Sequence, residues 1–509
     1  MSTGNQGILL ESLTGHPEIL EHWLAKPDAR LTGLHCDSRQ CGPGRGFFAL
    51  RGLRHDGHAF AADAVGQGAP VVFVSSREVF AQLRDGAHAG LAGVFLVAPG
   101  RAPLARLAAD VAGHPAGRMQ LLGVTGTNGK TTVSYLVAQL SRALGRECGV
   151  IGTLGMRYGT PGKGRVVANP RTTPEAPDIQ DFLAECLAHE VTRVVMEVSS
   201  IGIDLERSHG LPFAAAAFTN LTQDHLDHHG TLEAYRAAKE RLFLEYALGH
   251  AVLNVEDPVG EALALSLAER RPDVPRMGYA RRAEAALTWR GGGHTNGGEG
   301  EAFVWEGRAY PVRLGLMGGF NRANMLAALG LLLSQGEDPA ALADAVAGCQ
   351  GPPGRFERVP LHRAFDVLVD YAHTPDALEN LLHSARPLTK GRLMVLFGAG
   401  GDRDRAKRPL MGAIADRHAD YVVLTSDNPR GEEPGAILSD IQQGMRGRAN
   451  LRVIPDRREA IHYLLDQGRP GDVLLIAGKG DETYQEIAGR RFPFDDREVA
   501  GEWAAENPE

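Results

Sequence analysis

The sequence predicts an α/β fold arranged in three domains, and three observations lead to this prediction. The chain of 509 residues is longer than one hydrophobic core usually serves, and its length suggests about three domains. Short apolar runs typical of buried strands alternate with segments of helical periodicity along most of the chain. A glycine-rich loop also separates one of these strands from the helix that follows it, as in many α/β units.

The first domain is expected to span residues 1–118 and to be a small α/β unit. The tripeptide Asp37-Ser-Arg39 and an apolar run at 46–50 flank a glycine-proline turn, so strand, turn and strand is the simplest account. Further apolar runs at 71–74 and 93–97 continue the alternation of strands and helices.

The central domain, residues 119–350, is expected to be P-loop ATPase-like. The segment Gly123-Val-Thr-Gly-Thr-Asn-Gly-Lys-Thr-Thr132 follows a short apolar strand and begins a helix, where free N–H groups and the helix dipole favour an anion. Such loops hold a nucleotide triphosphate, with the lysine at the β and γ phosphates and the next hydroxyl on Mg²⁺. The expected ATP-binding residues of the loop are Gly126, Thr127, Asn128, Gly129, Lys130, Thr131 and Thr132.

One position departs from the general phosphate-loop pattern, which would require glycine where Val124 stands. A glycine turn that binds no ligand is the alternative, and the placement between a strand and a helix makes it the weaker interpretation. Later in this domain, residues 191–196 and 251–254 are expected to be buried strands, and residues 290–306 an exposed hairpin or loop.

The third domain is expected to begin at the Gly351-Pro-Pro-Gly354 turn and to span residues 351–509. Apolar runs separated by helical stretches predict a Rossmann-like, doubly wound sheet. The loops at the carboxyl ends of its strands would form a binding site. The strand candidates are residues 365–370, 391–397, 421–425 and 472–477.

Composition limits the classes of partner. A net charge of −8 argues against nucleic-acid binding as the main activity, so small molecules are the expected partners. The start of the chain lacks a signal-peptide pattern, and no stretch approaches the roughly eighteen apolar residues of a membrane helix, so a cytoplasmic protein without membrane insertion is expected. Five cysteines without C-x-x-C spacing favour reduced thiols over disulfides or a zinc site.

Three side chains of the central domain are candidates for chemistry. Glu197 follows a predicted strand and could hold a metal ion at its end, although a capping or salt-bridged glutamate is the alternative. His225 stands between two carboxylates and is a candidate metal ligand, whereas His228 and His229 are expected to be solvated. Lys239 lies in a helical pattern, where the residues alone favour a surface charge.

The loop, the glutamate, the histidine and the lysine follow the order found in the Mur ligase family, the ATP-dependent amide-forming enzymes of peptidoglycan precursor synthesis. The chain resembles that family over most of its length. Further matching motifs are Asn254-Val-Glu-Asp257, Phe320-Asn-Arg-Ala-Asn324, Gly354-Arg-Phe-Glu357, Asp370-Tyr-Ala-His-Thr-Pro-Asp376, Gly398-Ala-Gly-Gly-Asp-Arg-Asp404, Lys407-Arg-Pro409 and Asp427-Asn-Pro-Arg430.

The resemblance implies a ligase that uses ATP and Mg²⁺. It would add meso-diaminopimelate to the D-glutamate of UDP-N-acetylmuramoyl-L-alanyl-D-glutamate through an acyl phosphate. The three domains would bind, in chain order, the UDP-linked substrate, ATP and the amino acid, and a monomer is expected.

Residue by residue, the resemblance also assigns roles. Lys239 would react with CO₂ to give a carbamate, which turns a cation into an anion at a Mg²⁺ site. The catalytic residues would be Lys130, Glu197, His225 and Lys239, and the metal contacts Thr131, Glu197, His225 and the carbamate of Lys239. ATP would further contact Asn321, Arg355, Asp370 and His373. The UDP-linked substrate would contact Ser38, Thr172, Thr173, Ser199 and Arg207.

The acceptor amino acid has its own signature. Family members that use meso-diaminopimelate carry Asp-Asn-Pro-Arg, whose arginine can hold the distal carboxylate in a bidentate pair. The residues assigned to this amino acid are Arg403, Asp427, Asn428, Pro429, Arg430, Gly478 and Glu482. The alternatives are a family member with lysine as acceptor or a folate substrate, a P-loop ATPase that does not ligate, and a noncatalytic nucleotide-binding protein.

Several positions depart from the family pattern, and none of them is an assigned phosphate, metal or acceptor anchor. They bear on the details of dipeptide contact and, through the residue before Glu482, on acceptor choice. The departing residues are Arg171, Ile201, Leu205, Ala399 and Asp481.

Overall fold

A computed structural model of the chain describes residues 7–52, 55–86, 90–159, 164–169, 171–281, 284–291 and 300–508. The described chain combines helices with three large sheets, so the predicted α/β class is confirmed. Internal contacts divide it into two compact units. The first unit comprises Met1–Thr288, Val304–Tyr310 and Asn324–Ala345, and the second comprises Trp289–Phe303, Pro311–Ala323 and Val346–Glu509. The domain boundaries near residues 118 and 350 stay predictions.

The amino-terminal sheet belongs to the first unit. Its region contains strands β1 (Ile8–Leu9), β2 (Ile19–Leu24), β3 (Arg30–Leu31), β4 (Gly33–His35), β5 (Arg45–Phe48), β6 (Val71–Val74) and β7 (Gly93–Val97), helices α1 (Ala61–Gly66), α2 (Arg77–Asp85) and α3 (Arg101–Ala112), and 3-10 turns at Leu10–Leu13, Ser38–Gln40, Gly57–Phe60 and Pro115–Arg118. The sheet order is β2-β7-β6-β5-β4. The strands predicted on either side of the glycine-proline turn are present, and β4 and β5 pair in parallel.

The central sheet carries the glycine-rich loop. Its strands are β8 (Gln120–Thr125), β9 (Cys148–Gly152), β10 (Gly155–Tyr158), β11 (Arg165–Val167), β12 (Arg193–Glu197), β13 (Ala215–Phe218), β14 (Ala251–Asn254) and β15 (Arg276–Ala280), followed by β16 (Leu287–Arg290), β17 (Ala302–Trp305) and β18 (Arg308–Pro311). The helices are α4 (Lys130–Ala143), α5 (Ala176–Ala188), α6 (Ser200–Asp204), α7 (Leu226–His229), α8 (Leu232–Leu244), α9 (Pro258–Arg270), α10 (Gly319–Leu333) and α11 (Pro339–Val346).

Strand order places β8 in the middle of the central sheet, in the sequence β11-β10-β9-β12-β8-β13-β14-β15. The strands from β9 to β15 in this order are parallel, so their carboxyl ends lie on one edge. The strands predicted at 191–196 and 251–254 are confirmed as β12 and β14. Residues 292–299 of the predicted 290–306 hairpin or loop lie outside the described residues.

The carboxyl-terminal sheet lies in the second unit and has the order β19-β20-β24-β21-β22-β23. The strands are β19 (Glu357–Val359), β20 (Asp366–Asp370), β21 (Leu393–Phe397), β22 (Tyr421–Leu424), β23 (Asn450–Val453) and β24 (Val473–Ala477), with a hairpin of β25 (Tyr484–Ile487) and β26 (Arg490–Pro493). The helices are α12 (Pro375–Ala385), α13 (Lys407–His418), α14 (Pro434–Gln442), α15 (Arg457–Asp466) and α16 (Asp496–Glu506), with a 3-10 turn at Arg386–Leu388. Strands β20 to β24 are parallel, and the four predicted strands are confirmed.

Two predictions from composition can be compared with the described chain. All five cysteines are free thiols, as expected. None of the helices in the described ranges combines the length and apolar character needed to cross a bilayer.

Candidate active site

The glycine-rich loop joins β8 to α4, as the sequence predicts. Gly126 and Gly129 have φ angles of 147° and 89°, in the region that favours glycine. A Cβ atom at Gly126 would lie 1.9 Å from Oγ1 of Thr219, and one at Gly129 would lie 2.4 Å from Oδ1 of Asn324. Both positions therefore exclude a larger residue. The loop ends at the amino terminus of α4, where free N–H groups attract anionic oxygens.

Asn220 holds the main chain of this loop from the end of the neighbouring strand β13. Its carbonyl oxygen accepts a hydrogen bond from the Thr127 N–H at 2.9 Å, and its Oδ1 accepts one from the Asn128 N–H at 3.0 Å. Asn220 was not among the predicted site residues, although it lies in the segment that leads to His225.

Two lysine side chains meet at the loop. Lys130 Nζ donates to the carbonyl oxygens of Gly126 and Thr127 at 2.8 Å each. Lys239 Nζ, from α8, donates to the same Gly126 oxygen at 2.8 Å and lies 4.5 Å from the centroid of the Tyr235 ring. Lys239 is only 1% exposed, so the surface charge favoured by the residues alone is wrong. Burial, followed by the charge of Lys130, holds the pKa of Lys239 well below its ordinary value.

Glu197 is the last residue of β12 and is buried beside the start of α4. Its carboxylate accepts hydrogen bonds from Thr131 Oγ1 at 3.0 Å and from the N–H and Oγ1 of Thr153 at 3.0 and 3.1 Å. The structure thus brings together two of the predicted metal-binding residues. Carboxylate and hydroxyl oxygens are the ligands that Mg²⁺ prefers. Thr153 was missed because it lies after a different strand and belongs to no motif.

His225 immediately precedes α7 as its N-cap residue. Its φ angle is 52°, and its Nε2 lies 3.6 Å from Oδ2 of Asp224. Its ring meets that of Tyr235 edge to face, with the centroids 6.0 Å apart. Since Lys239 contacts the same tyrosine, His225 and Lys239 are linked through Tyr235.

The neighbouring histidines correct one expectation. His228 Nε2 lies 2.8 Å from Oδ2 of Asp204, and His229 Nε2 lies 3.0 Å from Oγ of Ser200. Both histidines are half-buried and hydrogen-bonded, so they are less solvated than expected. The cause is tertiary, because Ser200 and Asp204 are the two ends of α6.

Three of the residues assigned to the UDP-linked substrate surround the end of β12. Thr173 Oγ1 donates to the carbonyl oxygen of Glu197 at 2.9 Å, accepts from the Ser199 N–H at 2.9 Å, and lies 3.0 Å from Ser199 Oγ. Thr172 Oγ1 lies 3.1 Å from Thr153 Oγ1. The sequence placed Thr172 and Thr173 far from Ser199, and the structure joins them.

Arg207, the fourth of these residues, belongs to a group of arginines around one buried carboxylate. Glu175 lies 3.2 Å from Arg207 Nε, 3.2 Å from Arg101 Nε and 3.9 Å from Arg171 Nε. Arg207 also donates to the carbonyl oxygen of Thr173 at 3.2 Å. Burial lowers the pKa of Arg207, but an arginine remains charged at neutral pH. Three cations against one anion leave this group with a net positive charge, which was not predicted from the sequence.

Ser38 is the remaining residue assigned to that substrate, and it begins the 3-10 turn after β4. The side chain of Asp37 caps this turn by accepting from the Arg39 N–H at 3.0 Å. His35 at the end of β4 lies 3.1 Å from Asp178, near the start of α5. Ser38 therefore lies shortly after a strand whose last residue, His35, contacts α5, the helix that follows Glu175.

In the second unit, Asp370 ends β20 and receives two main-chain donors. Its Oδ2 accepts from the Phe356 N–H at 2.7 Å and its Oδ1 from the Ala372 N–H at 2.8 Å. Burial raises the pKa of Asp370, and the nearby charge of Arg355 opposes that rise. Asn321, assigned to the same ligand, is buried and donates to the carbonyl oxygen of Met317 at 2.7 Å.

Tyr371 connects the other residues assigned to ATP in this unit. The Arg355 guanidinium lies 4.4 Å from the centroid of the Tyr371 ring, and the His373 ring lies 4.6 Å from it. Lys407 Nζ donates to the carbonyl oxygen of His373 at 2.9 Å. Burial, followed by the charge of Lys407, lowers the pKa of His373 and favours the neutral imidazole.

The loops after β22 and β24 share a network. Asn428 Nδ2 donates to Glu482 Oε2 at 2.8 Å, and Lys479 Nζ donates to Glu482 Oε2 at 3.0 Å and to Asn428 Oδ1 at 3.3 Å. A Cβ atom at Gly478 would lie 2.5 Å from Oδ2 of Asp427. The structure brings these four predicted acceptor residues together. It adds the fully buried Lys479, which the Gly-Lys-Gly-Asp-Glu run at 478–482 could have indicated.

Arg430 and Arg403, which were also assigned to the acceptor, lie beside Gly400. A Cβ atom at Gly400 would lie 2.8 Å from Arg430 Nη1 and 3.6 Å from Arg403 Cγ. Arg430 Nη1 donates to the carbonyl oxygen of Gly401 at 2.9 Å, and its Nε lies 3.6 Å from Glu486 Oε2. The Arg430 side chain is therefore half-buried and held in place, whereas Arg403 is exposed.

Comparison with known proteins identifies the family. The model of the Mur ligase family, catalytic domain, matches residues 30–110; that of the Mur ligase middle domain matches 124–332; and that of the Mur ligase, glutamate ligase domain, matches 354–480. A curated relative from Synechococcus sp. (strain WH7803), named UDP-N-acetylmuramoyl-L-alanyl-D-glutamate--2,6-diaminopimelate ligase, is 44% identical over 93% of this chain and 94% of the relative.

Solved structures agree with this match. A structure of UDP-N-acetylmuramoyl-L-alanyl-D-glutamate--2,6-diaminopimelate ligase has a TM-score of 0.68 and 33% identity, covering 98% of this chain and 99% of that one. MurF ligase from Thermotoga maritima in complex with ADP has a TM-score of 0.60 and 18% identity, covering 93% of this chain and 97% of that one. At this low identity the similarity shows the fold alone. This chain belongs to the Mur ligase family, with its three-domain α/β architecture.

Proposed function

We propose that this chain is an ATP-dependent ligase that joins an amine of meso-2,6-diaminopimelate to the terminal carboxylate of UDP-N-acetylmuramoyl-L-alanyl-D-glutamate. The observation that chiefly supports the proposal is the 44% identity to a ligase of that name over 93% of this chain. The alternatives of a nonligating ATPase and a noncatalytic nucleotide-binding protein have no such support. We assign residues 1–118, 119–350 and 351–509 to the UDP-linked substrate, ATP and the amino acid.

The first step would activate the carboxylate. A carboxylate oxygen attacks the γ phosphorus of ATP, the bond to the β–γ bridging oxygen breaks, and ADP leaves, giving an acyl phosphate. In the structure, Lys130 donates hydrogen bonds to the carbonyl oxygens of Gly126 and Thr127. With ATP bound, its side chain would turn to the β and γ phosphates, which the loop N–H groups would also contact. In the second step, the amine nitrogen attacks the acyl carbon, phosphate leaves, and the nitrogen loses a proton.

The residues near the loop fit a Mg²⁺ ion. Thr131 and Glu197 would supply oxygen ligands, together with His225 and a carbamate on Lys239. Bound Mg²⁺ would neutralise charge on the phosphate oxygens. The lowered pKa of Lys239 supports the carbamate, because only a neutral amine attacks CO₂, losing a proton as the N–C bond forms.

The UDP-linked substrate is anionic, and the residues assigned to it suit an anion. We assign contacts to Ser38, Thr172, Thr173, Ser199 and Arg207. The positive group that Arg207 forms with Arg101, Arg171 and Glu175 adds an attraction for the carboxylates or the diphosphate of this substrate.

The acceptor assignment rests on charge. Diaminopimelate differs from lysine by a distal carboxylate, and Arg430 with Arg403 would hold that group. Glu482, fixed by Asn428 and Lys479, would accept the distal ammonium. Asp427, Pro429 and Gly478 would complete the contact. Lysine as acceptor would offer the two arginines no distal carboxylate.

One assay tests the proposal. Purified protein with Mg²⁺, ATP and UDP-N-acetylmuramoyl-L-alanyl-D-glutamate receives either meso-diaminopimelate or L-lysine, and phosphate release and the new amide are measured. Both should depend on all three substrates and on diaminopimelate. Equal turnover with lysine would refute the acceptor assignment, and phosphate release without product would indicate a nonligating ATPase. ATP and UDP-linked precursors are cytoplasmic metabolites, so we place the reaction in the cytoplasm; we expect a monomer, measurable by light scattering.

A further inference from the structure

A group of two imidazoles and one carboxylate lies on α12 and α13, among residues that have no role in the proposed reaction. Glu379 and His383 are four residues apart on α12, so their side chains lie on one face of the helix. His418 is the last residue of α13, which packs beside α12. It follows Ile414 by one turn, and Ile414 packs against the core of this unit.

The geometry is close to that of a metal site. His418 Nε2 lies 3.2 Å from Glu379 Oε1, and the His383 and His418 rings meet edge to face with centroids 4.4 Å apart. Each of the three residues offers one potential ligand atom, and these three atoms all lie within 4.8 Å of one another. Tetrahedral zinc has bonds of about 2.0–2.2 Å, which place neighbouring ligand atoms about 3.3 Å apart. The Glu379–His418 pair already has this spacing, and a rotation of the exposed His383 ring would complete the set.

The donor set points to a particular class of ion. We propose that Glu379, His383 and His418 bind one divalent transition-metal ion of the zinc class, with water as the fourth ligand. Imidazole nitrogens suit zinc, whereas Mg²⁺ and Ca²⁺ prefer oxygen ligands. In the described chain the His383 ring makes no hydrogen bond, so its nitrogens are available to an ion. The nearby cation Arg386 is neutralised by Asp420, whose Oδ2 lies 2.7 Å away.

Such an ion would have a structural effect. It would fix the His418 end of α13 to α12, and Lys407 at the other end of α13 bonds to the carbonyl of His373, just before α12. The two helices would then be linked near both ends of α13. This inference does not depend on the proposed ligase activity.

Calorimetric titration of Zn²⁺ into the full chain, without an affinity tag and with excess Mg²⁺, tests the proposal. We expect one equivalent bound with a micromolar or lower Kd, and a Co²⁺ complex with the visible absorption of a tetrahedral ion. His383→Ala and His418→Ala should each weaken binding by at least about tenfold. Zn²⁺ should raise the Tm of the native protein but not that of His383→Ala. Because His383 is exposed, this variant should have an unchanged Tm without metal.

A matched control comes from the other such group in the described chain, Asp204, His228 and His229. His228→Ala should keep the bound equivalent and the Co²⁺ spectrum. Loss of the spectrum in His228→Ala with retention in His383→Ala would overturn the proposal, as would millimolar binding that no variant changes.

Discussion

Lys130 and Lys239 donate hydrogen bonds to one acceptor, the carbonyl oxygen of Gly126, each at 2.8 Å. Lys239 is buried, and its pKa is lowered by burial first and by the charge of Lys130 second. The phosphate loop therefore places a lysine whose charged form is disfavoured beside Lys130, which is expected to bind phosphate. This pairing makes Lys239 suited to a reaction with CO₂ that an exposed lysine would undergo poorly at neutral pH.

The first prediction concerns the carbamate. With ¹³C-labelled bicarbonate, the native protein should give a carbamate carbon resonance, and Lys239→Met should not. Ligase turnover of Lys239→Met should fall by roughly 100-fold or more, because the anion that supports the Mg²⁺ site is lost. Lys26→Met, which changes an exposed lysine, should keep both the resonance and the turnover. A resonance that persists in Lys239→Met would refute the assignment.

The second prediction concerns stability and pH in buffer free of CO₂. Because the pKa of Lys239 is lower in the folded chain, the unfolded chain binds more protons below its own lysine pKa of about 10.4. Stability of the native protein should therefore gain from this group as pH rises through the alkaline range toward that value. Lys239→Met lacks the gain, so the Tm of the native protein relative to that of the variant should rise as pH rises toward about 10. Parallel Tm profiles for the two proteins would contradict the lowered pKa.

The strands and the loop could be predicted because their signals are local. The apolar runs of β8, β12 and β14 are buried on both faces, and glycine at 126 and 129 marks positive φ. The order of motifs led to the assignment of the acceptor residues, including Arg430, which stays a prediction.

The features that could not be predicted from the sequence are those that depend on tertiary contacts. The helical pattern around Lys239 predicts a surface residue, and only the packing of α8 against the phosphate loop buries this side chain. Thr153 reaches Glu197 from a neighbouring strand, and Glu175 gathers arginines that lie far apart in the chain. The parallel pairing of β4 and β5 likewise depends on the sheet, since short strands beside a turn are compatible with a hairpin.

The third prediction uses the two ends of α4. Gly129 precedes the helix with φ of 89°, and a Cβ there would lie 2.4 Å from Asn324 Oδ1. Gly145 follows the helix with φ of 76°, and a Cβ there would meet no atom within 4 Å. Gly129→Ala should weaken ATP binding tenfold or more, about 1.4 kcal/mol, because the loop must move. Gly145→Ala should leave the Kd for ATP unchanged and carry only backbone strain. Equal calorimetric Kd values for the two variants would argue against a shaped phosphate loop.

The fourth prediction concerns acceptor choice. Arg430→Ala should raise the KM for meso-diaminopimelate roughly 10- to 100-fold, the range expected for a lost charge-assisted hydrogen bond. The KM for ATP should change by less than about twofold, since the assigned contact is with the amino acid alone. Arg417→Ala, which removes an exposed arginine of α13, should change neither value. An unchanged KM for diaminopimelate in Arg430→Ala would remove this residue from the acceptor site.

The fifth prediction concerns a buried ion pair beneath the acceptor loops. Arg457 and Asp496 are both fully buried, with Nη2 and Oδ2 2.6 Å apart. Arg457 also donates to the carbonyl oxygens of Ser426 and Ala477, the residues just before Asp427 and Gly478. Asp496→Ala would leave a buried guanidinium without its anion, so the free energy of unfolding should fall by about 3–5 kcal/mol in urea titrations.

An exposed pair provides the control for this fifth prediction. Arg458 pairs with Glu502, and their side chains are 48% and 50% exposed. Glu502→Ala should cost no more than about 1 kcal/mol, because water already screens both charges. Similar losses for Asp496→Ala and Glu502→Ala would mean that the Arg457–Asp496 pair is not buried in solution. Asp496→Ala can also be assayed under conditions in which it is still folded. A large loss of stability together with a raised KM for diaminopimelate under those conditions would indicate that Arg457 positions the loops of Asp427 and Gly478 through their main chains.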